Sequence, residues 1–213
     1  MENCLHYCYK EKMKILKQNQ LNEAAKTLKE GGLIAFPTET VYGFGVIYDN
    51  KESYDRLIKV KRRPPEKPFT LMCADLEDIN EYAEINDVAE KLIKAFMPGQ
   101  FTIILKAKKS LPSWAISKEG NVGIRISSDE MVRELIRKVE KPLLVPSANR
   151  SGESPLNHDY EVKEKFENEI DALIEGSSTS TVPSTIVLVD KNITIIREGL
   201  ITKKDILKVL EDK

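Results

Sequence analysis

Helix-like and strand-like segments alternate along this chain, and that alternation constrains the fold more than any other feature. The segment LNEAAKTLKEGG at 21–32 has apolar residues at helical spacing and ends on two glycines, and the short apolar segment LIAF follows at 33–36. Further predicted strands, rich in Ile, Val, Leu and Thr, are FTLMCA, FTIILKA, NVGIRIS, PLLVPS, STIVLVD and ITIIRE. Further predicted helices are KESYDRLIKVKRR, ADLEDINEYA, NDVAEKLIKAFM, SSDEMVRELIRKV and TKKDILKVLEDK. The pattern predicts an α/β or α+β fold with helices packed on a sheet.

Two local signals refine this prediction. STIVLVD at 184–190 and ITIIRE at 193–198 are joined by a short loop, which predicts a hairpin and therefore a mixed sheet. In the helix of SSDEMVRELIRKV, Ser128 is the predicted N-cap, and acids at the start and cations at the end match the helix dipole.

Length and charge limit the architecture and the partners of the chain. The 213 residues suffice for one large domain, which we place at 18–213, with an N-terminal extension at 1–17. A net charge of −1 argues against a generally basic nucleic-acid binder, so any site for a polyanion must be local. Three cysteines without framework spacing, and no apolar stretch of membrane-spanning length, predict a cytoplasmic protein that has no membrane partner.

Several familiar catalytic motifs do not occur in the sequence. There is no GxxxxGK[ST] phosphate loop and no GxSxG nucleophile elbow, and two histidines, His6 and His158, argue against a histidine-based triad. Cys73 lies in an apolar strand, which favours a buried core residue over a nucleophile. Cys4, His6 and Cys8 are close in sequence, but a structural zinc ion needs four ligands, so no metal site is predicted.

Positive charge is densest in KVKRRPPEKPF at 59–69, where three prolines prevent a helix from continuing. The cations at the helix end, Lys61, Arg62 and Arg63, can complete the helix dipole. That explanation does not extend to Lys67, which lies beyond the helix. Because the prolines stiffen the backbone, they lower the entropy cost of holding cations around a multiply charged anion. The segment therefore predicts a polyphosphate site.

Two other polar segments directly follow predicted strands. FPTETVYGFG at 36–45 offers hydroxyls, a carboxylate and glycines that let the backbone approach a ligand, although a proline-initiated turn explains it equally well. PSANRSGESP at 146–155 offers short polar groups that can hydrogen-bond a phosphate or a base. Taken alone, this second segment is better explained as a flexible surface loop.

Together these segments resemble the YrdC/TsaC family of threonylcarbamoyl-AMP synthases, in the short form without the extra C-terminal domain. The resemblance covers roughly residues 20 to 200 and keeps the order of five segments. These are PTETVYG at 37–43, KRRP at 61–64 with Lys67, VGIRIS at 122–127, SAN at 147–149 with a trailing SG, and STIVLVD at 184–190. The resemblance implies an open twisted mixed sheet whose concave face is positive.

The resemblance also implies a nucleotidyltransferase reaction. L-Threonine, bicarbonate and ATP would give threonylcarbamoyl-adenylate and pyrophosphate, for the t6A modification of tRNA. Mg²⁺ is expected with ATP, held mainly by phosphate oxygens and water. Downstream threonylcarbamoyl-transferase proteins are implied partners, and a contact with tRNA or double-stranded RNA is left open. Such a reaction needs positioned cations and hydrogen-bond donors rather than a protein nucleophile, which agrees with the missing motifs.

Residue by residue, the resemblance implies a catalytic pair and two binding groups. The catalytic residues are Lys61 and Arg63. The ATP-binding residues are Arg63, Lys67, Asn121, Ser147, Asn149, Ser154 and Arg197. The threonine-binding residues are Thr40, Arg125 and Ser184, with the Arg125 guanidinium pairing with the threonine carboxylate. Considered alone, Arg125 is also explained as an outward-facing charge on a strand.

One departure and two rival functions accompany the resemblance. Met72 stands where many longer members of the family carry a histidine that faces the substrate. One rival is a module that binds tRNA or double-stranded RNA without catalysis, with an affinity that falls steeply with salt. The other is a carbamoyl-transfer domain like that inside hydrogenase-maturation proteins, which carry added zinc-finger and acylphosphatase-like parts not visible in this sequence.

Overall fold

The computed structural model describes residues 12–64 and 68–211, and within these ranges the chain forms one sheet and seven α-helices. The strands are β1 (Lys14–Leu16), β2 (Ile34–Phe36), β3 (Gly43–Ile47), β4 (Leu71–Cys73), β5 (Phe101–Lys106), β6 (Asn121–Ile126), β7 (Leu143–Leu144), β8 (Ala172–Ile174), β9 (Thr185–Val189) and β10 (Ile193–Arg197). The helices are α1 (Leu21–Lys29), α2 (Lys51–Lys61), α3 (Ile79–Tyr82), α4 (Asp87–Phe96), α5 (Glu130–Val139), α6 (Asp159–Phe166) and α7 (Lys203–Glu211). None of these helices is long and apolar enough to cross a membrane.

The sheet is mixed, as predicted, and its strand order is β1-β8-β2-β3-β7-β4-β6-β5-β9-β10. Strands β9 and β10 form the predicted antiparallel hairpin. Strand β1 lies inside the segment that we predicted as an N-terminal extension, and it pairs in parallel with β8 at one edge of the sheet. The predicted strand PLLVPS contributes only its two leucines, as β7, because the chain then leaves the sheet to form part of the cavity described below.

Four elements were not predicted, namely β1, β3, β8 and α6. The glycines of β3 suggested a turn, but they sit in the strand because neighbouring side chains occupy the space of a Cβ atom. A Cβ on Gly43 would lie 2.7 Å from Val145 Cγ1, and one on Gly45 would lie 2.6 Å from Phe36 Cε1. The predicted N-cap of α5 was also wrong, since Asp129 rather than Ser128 accepts the cap hydrogen bond from the Met131 amide.

One face of the sheet carries α1 and α5. Ile34 and Phe36 of β2, and Ala172 and Ile174 of β8, alternate toward this face and pack with the buried residues of both helices. The opposite face packs against α2, α4, α6 and α7 through buried residues that include Leu57, Leu92, Phe166 and Ile206. Two separate apolar cores therefore fix the sheet between two layers of helices.

The face that carries α1 and α5 is uncovered over the other half of the sheet. Met72 of β4 packs with the α1 and α5 core and pairs with Arg125 of β6, so the two side chains share that face. Alternation along β6 places Asn121 and Gly123 on the same side as Arg125. The corresponding residues of the next two strands are Thr102 and Ile104 of β5 and Ile186 and Leu188 of β9. This uncovered surface is where a ligand can bind.

Candidate active site

The uncovered half of the sheet is the floor of a cavity of about 560 Å³. The resemblance-based residues that line it are Thr40, Arg63, Asn121, Arg125, Ser147, Ser184 and Arg197. Of the other described candidates, Lys61 and Asn149 are buried behind the wall, and Ser154 is exposed beside it. Lys67 lies in the gap at 65–67, outside the described residues, so its role stays a prediction.

Arg63 reaches the cavity because the chain turns sharply at the end of α2. Arg62 adopts the left-handed backbone conformation, with φ at 48°, and its side chain is exposed. Arg63 donates from a terminal nitrogen to the Pro68 carbonyl at 3.1 Å, and its guanidinium lies 5.0 Å from the centroid of the Phe69 ring. Burial lowers the pKa of Arg63, but a guanidinium stays charged at neutral pH. The wall of the cavity therefore carries a fixed positive charge.

Lys61 lies directly behind this wall and is only 2% exposed. Its ammonium donates to the Ser147 carbonyl and to Asn149 Oδ1, each at 2.6 Å. Burial, and then the nearby Arg63 charge, lowers the pKa of Lys61 to about 7. A lysine in this position is poised to change its charge near neutral pH.

Asn149 holds Lys61 and Ser147 in place rather than presenting its own amide to the cavity. Its Oδ1 also accepts from the Ser147 hydroxyl at 2.6 Å, and its Nδ2 donates to the Glu153 carbonyl at 2.6 Å. A direct contact with ATP would have to replace one of these bonds. The structure thus makes Asn149 a positioning residue for two neighbours.

Main-chain hydrogen bonds bring three distant sequence segments together at this wall. Phe44 donates to the Pro146 carbonyl at 2.9 Å, and Ala148 donates to the Tyr42 carbonyl at 2.6 Å. Ser151 donates to the Lys61 carbonyl at 2.8 Å, which ties the segment at 146–155 to the end of α2. The surface-loop explanation for this segment is therefore wrong from 146 to 150, which the chain buries or half-buries.

Arg125 and Glu39 form a buried ion pair at the opposite end of the cavity. A terminal nitrogen of Arg125 donates to Glu39 Oε1 at 2.7 Å, and Nε donates to the Gly99 carbonyl at 3.2 Å. Glu39 also accepts from the Ser127 hydroxyl and from the Ser128 amide. Because Arg125 is 6% exposed and lines the cavity, its explanation as an outward-facing charge is wrong. A guanidinium has five N–H donors, so these two bonds leave donors for a ligand.

Hydroxyl groups and a second arginine surround this end of the cavity. Ser184 Oγ lies 2.9 Å from Thr102 Oγ1, and Arg197 donates to the Ser184 carbonyl at 2.9 Å and to its hydroxyl at 3.3 Å. Thr40 is buried, with its hydroxyl 2.9 Å from that of Thr38. Burial and the charge of Arg125 lower the pKa of Arg197. The arrangement suits a small ligand that carries both a carboxylate and hydrogen-bonding groups.

Comparison with known proteins gives this geometry a family. Residues 26–199 match the family model Sua5/YciO/YrdC, which is described as telomere recombination. The chain belongs to the Sua5/YciO/YrdC family.

Relatives within the Sua5/YciO/YrdC family carry two kinds of name. The chain is 30% identical over 186 residues to the uncharacterized protein YciO of Escherichia coli K12, covering 86% of this chain and 90% of that protein. It is 34% identical over 190 residues to the threonylcarbamoyl-AMP synthase of Pyrococcus abyssi, covering 88% of this chain and 56% of that protein. The P. abyssi Sua5 structure in complex with L-threonine matches with a TM-score of 0.87 and 30% identity, covering 94% of this chain and 61% of that chain.

Two further residues of this Sua5/YciO/YrdC member, Met72 and Ser154, take no part in the contacts described above. Met72 is 2% exposed and lines the cavity next to Arg125. It can make only an apolar contact or a weak one through sulfur. Ser154 is exposed outside the cavity, and its predicted contact with ATP is untested.

Sequence reasoning missed two residues that support the site. Glu39 was noted as one carboxylate of the FPTETVYGFG segment but was given no role, although it anchors Arg125. Arg150 lies in the segment at 146–155 and is 9% exposed; it forms an ion pair with Glu169 and donates to the Val60 carbonyl in α2. The sequence offers no signal for this pair, since Glu169 follows 19 residues later in a stretch rich in acidic residues.

Proposed function

We propose that this protein is a threonylcarbamoyl-AMP synthase, which converts L-threonine, bicarbonate and ATP into threonylcarbamoyl-adenylate and pyrophosphate for the t6A modification of tRNA. The observation that carries the proposal is that one cavity joins Arg63 at one wall with the Arg125, Ser184 and Thr40 cluster at the other. The membership of a threonylcarbamoyl-AMP synthase in the same family supports it.

The cluster around Arg125 is the proposed site for L-threonine. The carboxylate would pair with Arg125, whose guanidinium Glu39 holds in place, and Ser184 and Thr40 would hydrogen-bond the rest of the amino acid. Addition of bicarbonate to the amino group, with loss of water, gives the carbamate that reacts further. The P. abyssi Sua5 structure in complex with L-threonine supports threonine as the substrate.

The wall formed by Arg63 and Ser147 is the proposed site for the triphosphate of ATP. A carbamate oxygen would attack the α-phosphorus, and the bond from that phosphorus to the β-phosphate oxygen would break, so that pyrophosphate leaves with the electron pair. Negative charge grows on the phosphate oxygens as the bond breaks, and Arg63 stabilises it without having to move. Lys61 adds positive charge from behind Ser147 when it is protonated.

Magnesium would enter this reaction as part of MgATP. The described lining of the cavity contains three arginines, and its carboxylate, Glu119, lies at the end away from Arg125. Phosphate oxygens and water are therefore the expected ligands of the ion.

The test is incubation of the purified protein with MgATP, L-threonine and ¹⁴C-bicarbonate, followed by measurement of pyrophosphate and of labelled adenylate. We expect both products, each dependent on threonine. Pyrophosphate without a labelled product, or no turnover by a folded protein, would contradict the proposal. Salt-sensitive binding of tRNA without turnover would favour the RNA-binding module instead.

The lowered pKa of Lys61 gives the reaction an expected pH dependence. As pH rises above about 7, Lys61 loses its proton in the free enzyme, and kcat/KM for ATP should fall because the neutral amine no longer stabilises the phosphates. The kcat value should fall only at higher pH, since bound phosphates favour the ammonium form. Initial rates between pH 6 and pH 9 would measure both profiles.

Two controls separate this effect from unfolding and from general charge loss. Between about 7 and the ordinary value of 10.5, the unfolded chain binds more protons at Lys61 than the folded protein does. Deprotonation of Lys61 therefore raises the free energy of unfolding as pH rises. A loss of folded protein caused by Lys61 thus cannot explain the fall in rate. Lys59→Met should keep the wild-type pH profile. Lys61→Met should lower the rate and make the pH profile flatter. An unchanged profile in Lys61→Met would refute the role of Lys61.

A further inference from the structure

The cavity has a third part that the proposed chemistry does not use, at the start of β6. Ser117, Glu119 and Asn121 line it there. Among the lining residues that the structure describes, Glu119 is the one carboxylate, whereas Arg63, Arg125 and Arg197 supply three guanidinium groups. A carboxylate is an unexpected side chain in a cavity that takes two anionic substrates.

The Glu119 carboxylate is presented by a rigid turn. Ser117 donates to the Asn121 carbonyl at 2.8 Å, and Gly120 donates to the Ser117 carbonyl at 2.9 Å with a positive φ of 76°. The Asn121 amide reaches Ser117 Oγ at 3.3 Å, and Lys106 Nζ donates to the Glu119 carbonyl at 2.9 Å. The turn therefore fixes the direction in which Glu119 leaves the backbone.

The Glu119 carboxylate is exposed, and hydrogen bonding by the Ser117 side chain and by the Glu119 amide holds its pKa below the usual range. Glu119 is thus a charged acceptor at neutral pH, and it has no hydrogen to donate. It can be satisfied by a cation or by a group with N–H or O–H donors.

Distance along β6 separates this acceptor from Arg125, the proposed site of the threonine carboxylate. Arg125 is four residues beyond Asn121, which corresponds to about 13 Å along a strand. Gly123 lies between them on the same face and pairs with Ile104, so the floor between the two ends is flat and apolar. With L-threonine at Arg125 and the triphosphate at the wall of Arg63 and Ser147, the part of the cavity at the start of β6 is left for the nucleoside.

We propose that Glu119, together with Asn121, determines nucleotide specificity by accepting hydrogen bonds from donors on the nucleoside part of ATP. The inference rests on the proposed function, because it takes ATP as the occupant of the cavity. Two groups of ATP offer the required donors, the ribose hydroxyls and the 6-amino group of adenine. A site that hydrogen-bonds such a donor discriminates against an analogue that lacks it, since the bound analogue offers the acceptor no partner.

Equilibrium binding measured by calorimetry tests the inference without relying on turnover. The ligands are ATP, 2′-deoxy-ATP, 3′-deoxy-ATP and purine riboside triphosphate, which lacks the 6-amino group. The proteins are the wild type, Glu119→Ala, Glu119→Gln, and Glu77→Gln as a control at an exposed acid away from the cavity. Glu119→Ala should weaken ATP binding about tenfold, as expected for one charged hydrogen bond, and Glu119→Gln should weaken it less.

The analogues identify the donor that Glu119 meets. For the analogue that lacks this donor, wild type and Glu119→Ala should bind with equal affinity, while the other analogues keep the tenfold difference. Unchanged or tighter binding of ATP by Glu119→Ala would overturn the inference, and so would equal weakening of every ligand. If the wild type binds no ATP at all, the proposed function fails together with the inference, and this outcome is distinct from a Glu119 substitution that has no effect.

Discussion

Replacing Arg63 with alanine is expected to lower kcat/KM for ATP by about a hundredfold to a thousandfold, the usual loss when one fixed donor to a transition state is removed. The reason is that Arg63 lines the cavity with a guanidinium already oriented by the Pro68 carbonyl and the Phe69 ring, so its contribution needs no reorganisation. Steady-state rates of pyrophosphate release, at varied ATP concentrations and saturating threonine, measure the loss.

Arg62→Ala is the matched control for this prediction. It removes the same charge from the adjacent residue, but that side chain is exposed and lies outside the cavity lining. Arginine and alanine both carry a Cβ atom, so the substitution does not change the backbone strain of the positive φ at position 62. We expect a loss of less than about threefold, because an exposed charge contributes little. Equal losses in the two variants would mean that net charge near α2, rather than the placement of Arg63, governs activity.

Replacing Arg125 with lysine is expected to raise KM for threonine by about tenfold to a hundredfold, which is the magnitude of one or two charge-assisted hydrogen bonds. Arg125 bonds Gly99 and Glu39 and still has donors for a carboxylate, whereas a lysine ammonium cannot satisfy all three acceptors in that geometry. The substitution keeps a positive charge beside Glu39, so the buried carboxylate is not left without a partner. Calorimetric binding of threonine and the kinetic KM together measure the effect.

The control for Arg125→Lys is Arg137→Lys, which alters an arginine in an exposed ion pair with Asp75. That variant should leave the affinity for threonine unchanged. Thermal unfolding of both variants checks that the fold persists. A KM for threonine that is unchanged in folded Arg125→Lys, or a change confined to KM for ATP, would place threonine elsewhere in the cavity.

Much of the fold could be predicted from local sequence, because its elements carry strong periodic signals. The helices α1, α2, α4 and α5 have amphipathic spacing with clear stops, and the hairpin of β9 and β10 follows from its short loop. Strand β3 could not be predicted, since its glycines resemble turn signals until the neighbouring Val145 and Phe36 side chains are known. Helix α6 was hidden by its charge, as its buried face consists of only two residues, Val162 and Phe166.

The candidate site was predictable as a set of residues but not as an arrangement. The order of the motifs indicated which side chains carry the chemistry, and seven of them do line one cavity. The sequence did not reveal that Lys61 and Asn149 support the wall from behind, or that Glu39 anchors Arg125 across 86 residues. Each of these contacts joins residues that are distant in the chain, and local pattern carries no information about such pairs.

The sequence by itself therefore determined the class of fold, the family resemblance and the residue types available for binding phosphate and carboxylate. Periodicity and turn chemistry act over a few residues, which is why they can be read from the chain directly. Only the tertiary structure decided that α1 and α5 cover half of one sheet face and leave the other half open. It also decided that Glu119 lines that opening and that burial lowers the pKa of Lys61 to about 7. Both depend on which distant segments exclude water from a given side chain, and that is a property of the packed molecule.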